Sequence, residues 1–282
     1  MEIATLGNLK ITIFADMIGI FDSGVGGLSV FREIKKLLPE EKYIYFSDNA
    51  HCPYGEKSKE YIIDRARQIT DFMLNEGADI IVVACNTATA AAIKTLRAEY
   101  STNNDHTKIL TGGRREAVSF IGMEPAIKPA ALITKTGTVG VLATAGTLKA
   151  DKYRDTKGRH AEDVTVVEHI GQGFVELVES GNITGPEAES VVMESLEPLL
   201  DAGADTIVLG CTHYPFLSET ISKVAARLTP DRTVTIIDPA PAVARHLLDV
   251  MTEQDIIKRE GFSVSLHASG DDSLLNLMVD RL

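Results

Sequence analysis

Asn75-Glu-Gly-Ala-Asp-Ile-Ile-Val-Val-Ala-Cys85-Asn-Thr87 realigns without a gap on Asp201-Ala-Gly-Ala-Asp-Thr-Ile-Val-Leu-Gly-Cys211-Thr-His213. The offset is 126 residues, both from Gly77 to Gly203 and from Cys85 to Cys211. In each copy a Gly-Ala-Asp turn launches a short apolar run that ends on a thiol, the pattern of a buried parallel strand. A second pair of segments repeats at almost the same spacing. Ile18-Gly-Ile-Phe-Asp22-Ser-Gly-Val-Gly-Gly-Leu28 matches Val139-Gly-Val-Leu-Ala143-Thr-Ala-Gly-Thr-Leu148, 121 residues apart from Gly19 to Gly140. Spacings this close are what duplication followed by small loop changes leaves. The thiols therefore sit at strand exits, one in each copy.

The 282 residues suffice for two α/β units, and a chain of this length buries roughly three quarters of its unfolded surface. A formal net charge of −12, with no clustered Lys/Arg run, argues against a nucleic-acid partner. No apolar run approaches the roughly 20 residues a membrane helix needs, so no membrane partner is expected. Three cysteines make no disulfide framework and no secretory signal opens the chain, which reads as cytoplasmic with reduced thiols.

The first sixteen residues show no helical or strand period and read as an extension, with Met17 a second possible start. From there strand and helix alternate. Strands are expected at Ile18 to Phe21, Lys42 to Ser47 and Asp79 to Ala84, with helices at Ser29 to Leu38, Lys59 to Glu76 and Thr87 to Tyr100. Ser101 to Arg115 reads as a polar loop and Phe120 to Ala130 as an ordered crossover. The scheme then repeats, with strands at Thr138 to Ala143, Thr165 to Glu168, Thr206 to Leu209 and Thr233 to Ile237. The matching helices are Glu187 to Ala202, Phe216 to Leu228 and Ala242 to Met251. The fold class is α/β, with two pseudo-symmetric domains of parallel or mixed sheet and a site in the cleft between them. The expected units are the extension 1–16, a first domain of 17–118 plus 237–282, and a second of 119–236.

Each thiol is followed by residues that cap helices, Asn86-Thr87 after Cys85 and Thr212-His-Tyr-Pro215 after Cys211. A helix N-terminus lowers a thiol's pKa and its free N–H groups hold carboxylates, so lowered pKa values are expected for both. Cys52 has no counterpart in the repeat and reads as a small loop hydrophobe. Phe21-Asp-Ser-Gly-Val-Gly-Gly27 fits neither a dinucleotide nor a phosphate loop; it presents Asp22 and Ser23 where backbone approaches a ligand closely. Asp22 is suited to hold an ammonium or to aid a thiol's proton transfer, and turn capping is the plainer role. Cys52, Cys85, Cys211, His51 and His213 show no paired-ligand spacing, so no metal is expected. A thiol on each side of one cleft suits a proton that leaves one face of a carbon and returns to the other, the chemistry of a racemase or epimerase. A one-thiol hydrolase and a binding module on the same fold are the alternatives.

The segments Phe21-Asp-Ser-Gly-Val-Gly-Gly-Leu-Ser29, Pro53-Tyr-Gly55, Ala84-Cys-Asn-Thr-Ala88, Gly122-Met-Glu-Pro-Ala-Ile-Lys-Pro-Ala130 and Gly210-Cys-Thr-His-Tyr-Pro215 resemble the glutamate racemase family, in order and over nearly the whole chain. The resemblance implies a cofactor-independent, two-base interconversion of L- and D-glutamate, the D-isomer serving peptidoglycan synthesis. Cys85 and Cys211 would be the bases. Asp22, Ser23, Tyr54, Gly55, Asn86, Thr87, Thr212 and His213 match substrate-contacting positions. Asp22, Glu179 and His213 match groups that assist proton transfer, and Thr144 and Thr147 are weaker candidates. A homodimer and a cell-wall precursor acting through the N-terminal extension are the further partners this implies. Gly171-Gln172 stands where a Cys-Pro pair is common, and Asn49 and His51 replace the usual Thr and Arg.

Overall fold

The computed structural model describes residues 3–6, 9–12, 17–160 and 164–280. The chain opens with β1 (Ile3–Leu6) and β2 (Leu9–Thr12), an antiparallel pair where no strand was expected. Then follow β3 (Met17–Asp22), β4 (Lys42–Ser47), β5 (Ala78–Val83), β6 (Ser119–Gly122), β7 (Thr138–Ala143), β8 (Thr165–Ile170), β9 (Thr206–Gly210), β10 (Thr235–Ile237) and β11 (Ser263–Ala268). One sheet runs β11-β4-β3-β5-β6 and a second β10-β9-β7-β8, with every described pairing inside them parallel.

The duplication is visible strand by strand. Apart from β11, the order β4-β3-β5-β6 matches β8-β7-β9-β10. Gly19 lies opposite Ile81 in the first sheet and Gly140 opposite Ile207 in the second, the same pairs the two sequence alignments equate. Both glycines serve packing. A Cβ at Gly19 would stand 3.0 Å from Met73 Sδ, and one at Gly140 would stand 2.6 Å from Ile207 and 3.1 Å from Leu199.

Several expectations need correction. Ser101 to Arg115 is not all loop: Asn104 accepts the Thr107 N–H at 2.7 Å and starts a helix over Asp105–Leu110. β6 (Ser119–Gly122) pairs with β5, so the first sheet includes residues just past 118. Within the C-terminal segment a strand that was not expected, β11, pairs with β4, while helix Ala240–Glu253 packs on helix Leu28–Leu37. The edge sequence Ser-Val-Ser-Leu-His-Ala is short and half polar, so it carries little strand signal.

The Asp of each Gly-Ala-Asp turn ties down its strand in a different way. Asp79 pairs with Arg114 at 3.3 Å and Arg115 at 3.4 Å. Asp205 accepts from Thr134 Oγ1 at 2.6 Å, from the N–H groups of Lys135 at 2.7 Å and Thr136 at 3.0 Å, and from Thr206 Oγ1 at 3.1 Å. Burial pushes the Asp205 carboxyl up, but these donors outweigh it and hold it below the usual range. A depressed folded pKa adds stability above the unfolded value of about 3.9, and that stability is lost as pH falls through the folded pKa. Asp205→Asn should cost about 1–3 kcal/mol at pH 7. Urea unfolding at pH 7 and pH 3 checks this: the gap between wild type and variant should narrow at the lower pH.

Candidate active site

The strands deliver their chemistry at their C-terminal ends, where a parallel α/β sheet opens its crevice. β5 ends at Val83, and Cys85 is the N-cap of helix Asn86–Tyr100, its sulfur accepting the Ala88 N–H at 3.4 Å. The thiol faces Ser23 Oγ at 3.7 Å. β9 ends at Gly210, and Cys211 Sγ lies 3.8 Å from Nδ1 of His213. A 3-10 turn over Tyr214–Leu217 follows, so only Cys85 caps an α-helix directly.

Ser23, Tyr54, Gly55, Asn86, Thr87, Thr212 and His213 line one cleft with both sulfurs. Asp22 is fully buried beneath it, accepting the Gly24 N–H at 2.9 Å and Thr212 Oγ1 at 3.0 Å. Glu179 stands behind His213, its Oε1 2.6 Å from Nε2, and also accepts the Val25 N–H at 2.8 Å. The weaker candidates Thr144 and Thr147 meet Thr87 at 2.9 and 3.3 Å and join the halves across the cleft rim. Among the described residues the Asn86 side-chain oxygen, at the cleft, is buried with no hydrogen-bond partner.

The electrostatics of the two sides differ. Burial pushes the Cys85 thiol up to about 12, the Asp22 carboxylate adds to this, and the Ala88 N–H and Ser23 hydroxyl offset only part. The lowered pKa expected for Cys85 is thus overturned, because desolvation outweighs the helix terminus. Asp22 is likewise raised by burial, against the pull of His213. For His213 burial favours the neutral ring, but contacts with Cys211, Cys52 and Glu179 outweigh it and raise the imidazole well above its usual range. Glu179 is raised by burial and lowered more by His213, ending below the carboxylate range. The His213 ring thus stands between Cys211 Sγ at 3.8 Å and Glu179 Oε1 at 2.6 Å with its pKa raised, whereas burial and Asp22 push the Cys85 thiol the other way from a ready base.

Sequence reasoning missed one support. Asp48, at the exit of β4, accepts the Tyr54 hydroxyl and is gripped by Arg65 through Nε at 3.0 Å and Nη2 at 2.6 Å. A carboxylate just past a strand end, like Asp22, was the signal available. Gly171 is explained by packing: a Cβ there would stand 2.5 Å from the Tyr214 hydroxyl. The cleft encloses about 10 Å³, roughly the room one water needs. A larger groove of about 260 Å³ shares only Thr87 with it and is lined by neither sulfur, so size does not mark the chemistry.

Gly26 holds the loop against the imidazole, for a Cβ there would stand 2.4 Å from His213 Nδ1. The short His213–Glu179 contact should give a downfield imidazole N–H signal in the proton NMR spectrum. Gly26→Ala and Glu179→Gln should each remove that signal with the far-UV circular dichroism unchanged; its persistence in both would disprove the arrangement.

Residues 18–247 match the family model described as Asp/Glu/Hydantoin racemase. A glutamate racemase from Methylococcus capsulatus is 50% identical over 230 residues, 82% of this chain and 77% of its own length. The crystal structure of a glutamate racemase isoform from Bacillus anthracis superposes with a TM-score of 0.79 at 30% identity, covering 95% of this chain and 94% of that one. The Escherichia coli glutamate racemase, solved with L-glutamate and the activator UDP-MurNAc-ala, gives a TM-score of 0.72 at 31% identity, covering 90% and 98%. With the family model spanning most of its length, the chain belongs to the Asp/Glu/hydantoin racemase family, on the branch of the glutamate racemases.

Proposed function

We propose that the protein interconverts L- and D-glutamate, with Cys85 and Cys211 as the two bases, and so supplies D-glutamate for peptidoglycan synthesis. The observation that carries this reading is the pair of thiols brought to one cleft from equivalent strand exits. One sulfur removes the α-proton and the other, still protonated, returns a proton to the opposite face. Reversing the roles runs the reaction the other way.

The surroundings divide the work. The N–H groups of Asn86 and Thr87, the first two of helix Asn86–Tyr100, suit a substrate carboxylate. The buried Asp22 and the free oxygen of Asn86 suit the ammonium. That ammonium brings positive charge beside Cys85, opposing the influences that raise its pKa and favouring ionisation with substrate in place. On the other side the His213–Glu179 pair supplies a donor to Cys211. Closure excludes water and aligns both sulfurs, which matters because a positioned proton-transfer group supplies only about a hundredfold to ten-thousandfold.

The β1–β2 extension is the natural place for a regulatory contact, and the E. coli relative was solved with an activator bound. If a cell-wall precursor acts through it, a protein beginning at Met17 should lose the precursor's stimulation; equal activity with and without precursor in both lengths would exclude the role.

Racemisation of L-glutamate is followed by circular dichroism in D₂O, with α-deuteration read by NMR. Cys85→Ser and Cys211→Ser should each slow overall racemisation by about a hundredfold or more. Retention of wild-type turnover by either variant would indicate one-thiol chemistry instead.

A further inference from the structure

The mechanism makes no use of Cys52, yet its thiol points at the acid and imidazole of the Cys211 side. Cys52 Sγ lies 3.9 Å from Glu179 Oε1, which is itself 2.6 Å from His213 Nε2. One donor atom from each of the three residues falls within 4.8 Å of the other two. We propose that Cys52, Glu179 and His213 form a binding site for a thiophilic divalent cation of the zinc type, and that its occupancy shuts the enzyme off.

The donor set selects the ion. A thiolate, an imidazole and a carboxylate are the ligands of Zn²⁺ and its neighbours, whereas Mg²⁺ and Ca²⁺ require oxygen throughout. Around a tetrahedral zinc, with bonds of about 2.0–2.3 Å, ligand atoms stand roughly 3.3–3.8 Å apart. The Cys52–Glu179 distance already suits that geometry, and the His213–Glu179 contact has to open by less than about 1 Å. Three protein ligands leave the fourth position to water. Binding releases the Cys52 thiol proton and the proton shared by His213 and Glu179 to solvent.

Two consequences follow for catalysis, both resting on the two-thiol reading. The cation takes Glu179 away from His213 and occupies Nε2, which removes the charged pair that serves Cys211. It also ties a loop after β4 of the first sheet to two residues of the second half. A cleft of about 10 Å³, held shut in this way, admits no amino acid. Ligand spacing along the chain, which led to no metal being expected, could not reveal the trio because its members are 127 and 34 residues apart.

The test uses the full-length protein with Zn²⁺ and Co²⁺ as probes. Stoichiometric Zn²⁺ should abolish racemisation of wild type, and EDTA should restore it. Measured against their own metal-free rates, Cys52→Ser and Cys52→Ala should need about tenfold more Zn²⁺ or above for the same fractional inhibition, at least what the loss of an outer-shell partner costs. One Co²⁺ per chain should give a thiolate-to-cobalt charge-transfer band in wild type that is absent from both variants. Unchanged Zn²⁺ sensitivity in the Cys52 variants, or a cobalt band that survives in them, would overturn the site by placing the metal on Cys85 or Cys211. The cobalt band decides the site even if glutamate racemisation itself fails.

Discussion

The hydrogen bond from Thr212 to the fully buried carboxyl of Asp22 joins the exits of the central strands of the two halves. Ser29 reinforces it by donating to the Thr212 carbonyl at 2.9 Å, and the Val25 N–H reaches across to Glu179. A carboxyl group taken this far from water is costly unless its neighbours satisfy it. Asp22 meets that demand only when the segments after β3 and β9 lie against each other. The closed cleft, the placement of both thiols and the contact of His213 with the glycine loop all follow from that apposition.

The two sides of the cleft answer the same chemical demand by different means. The Cys85 thiol is pushed up by burial and by the neighbouring Asp22 carboxylate. Cys211 faces a ring whose pKa is raised by its contacts with Cys211, Cys52 and Glu179. Duplication supplied equivalent positions for the sulfurs, and later divergence gave each its own electrostatic surroundings. The same divergence appears where no chemistry occurs: Asp79 and Asp205 are equivalent in the repeat, yet one is held by arginines and the other by hydroxyls and backbone N–H groups.

Tight packing at the seam explains the glycines that a motif search registers without a reason. A Cβ at Gly24 would stand 2.0 Å from Glu179 Oε1, and one at Gly26 would run into the His213 ring. These residues bring backbone close to Glu179 and His213. Asp48 acts one step further out, fixing the Tyr54 hydroxyl through a carboxylate that Arg65 holds in place.

Much was legible in the residues alone. The gapless repeat located both thiols at strand exits and predicted two parallel sheets, because the apolar run of a buried strand and the turn that starts it are local features. The resemblance supplied Glu179 and Tyr54. What local pattern could not carry was the company these groups keep. The edge strand β11 and the helix at Asp105–Leu110 escaped because short, half-polar segments have weak periodicity. The raised pKa of Cys85 reversed a sound local expectation, since a helix terminus acts on its own first turn whereas desolvation depends on everything packed around the sulfur. The sequence by itself determined the duplicated α/β plan and the two thiols; the tertiary structure alone decided which acids, rings and hydroxyls meet them, because contact and burial join residues that the chain keeps far apart.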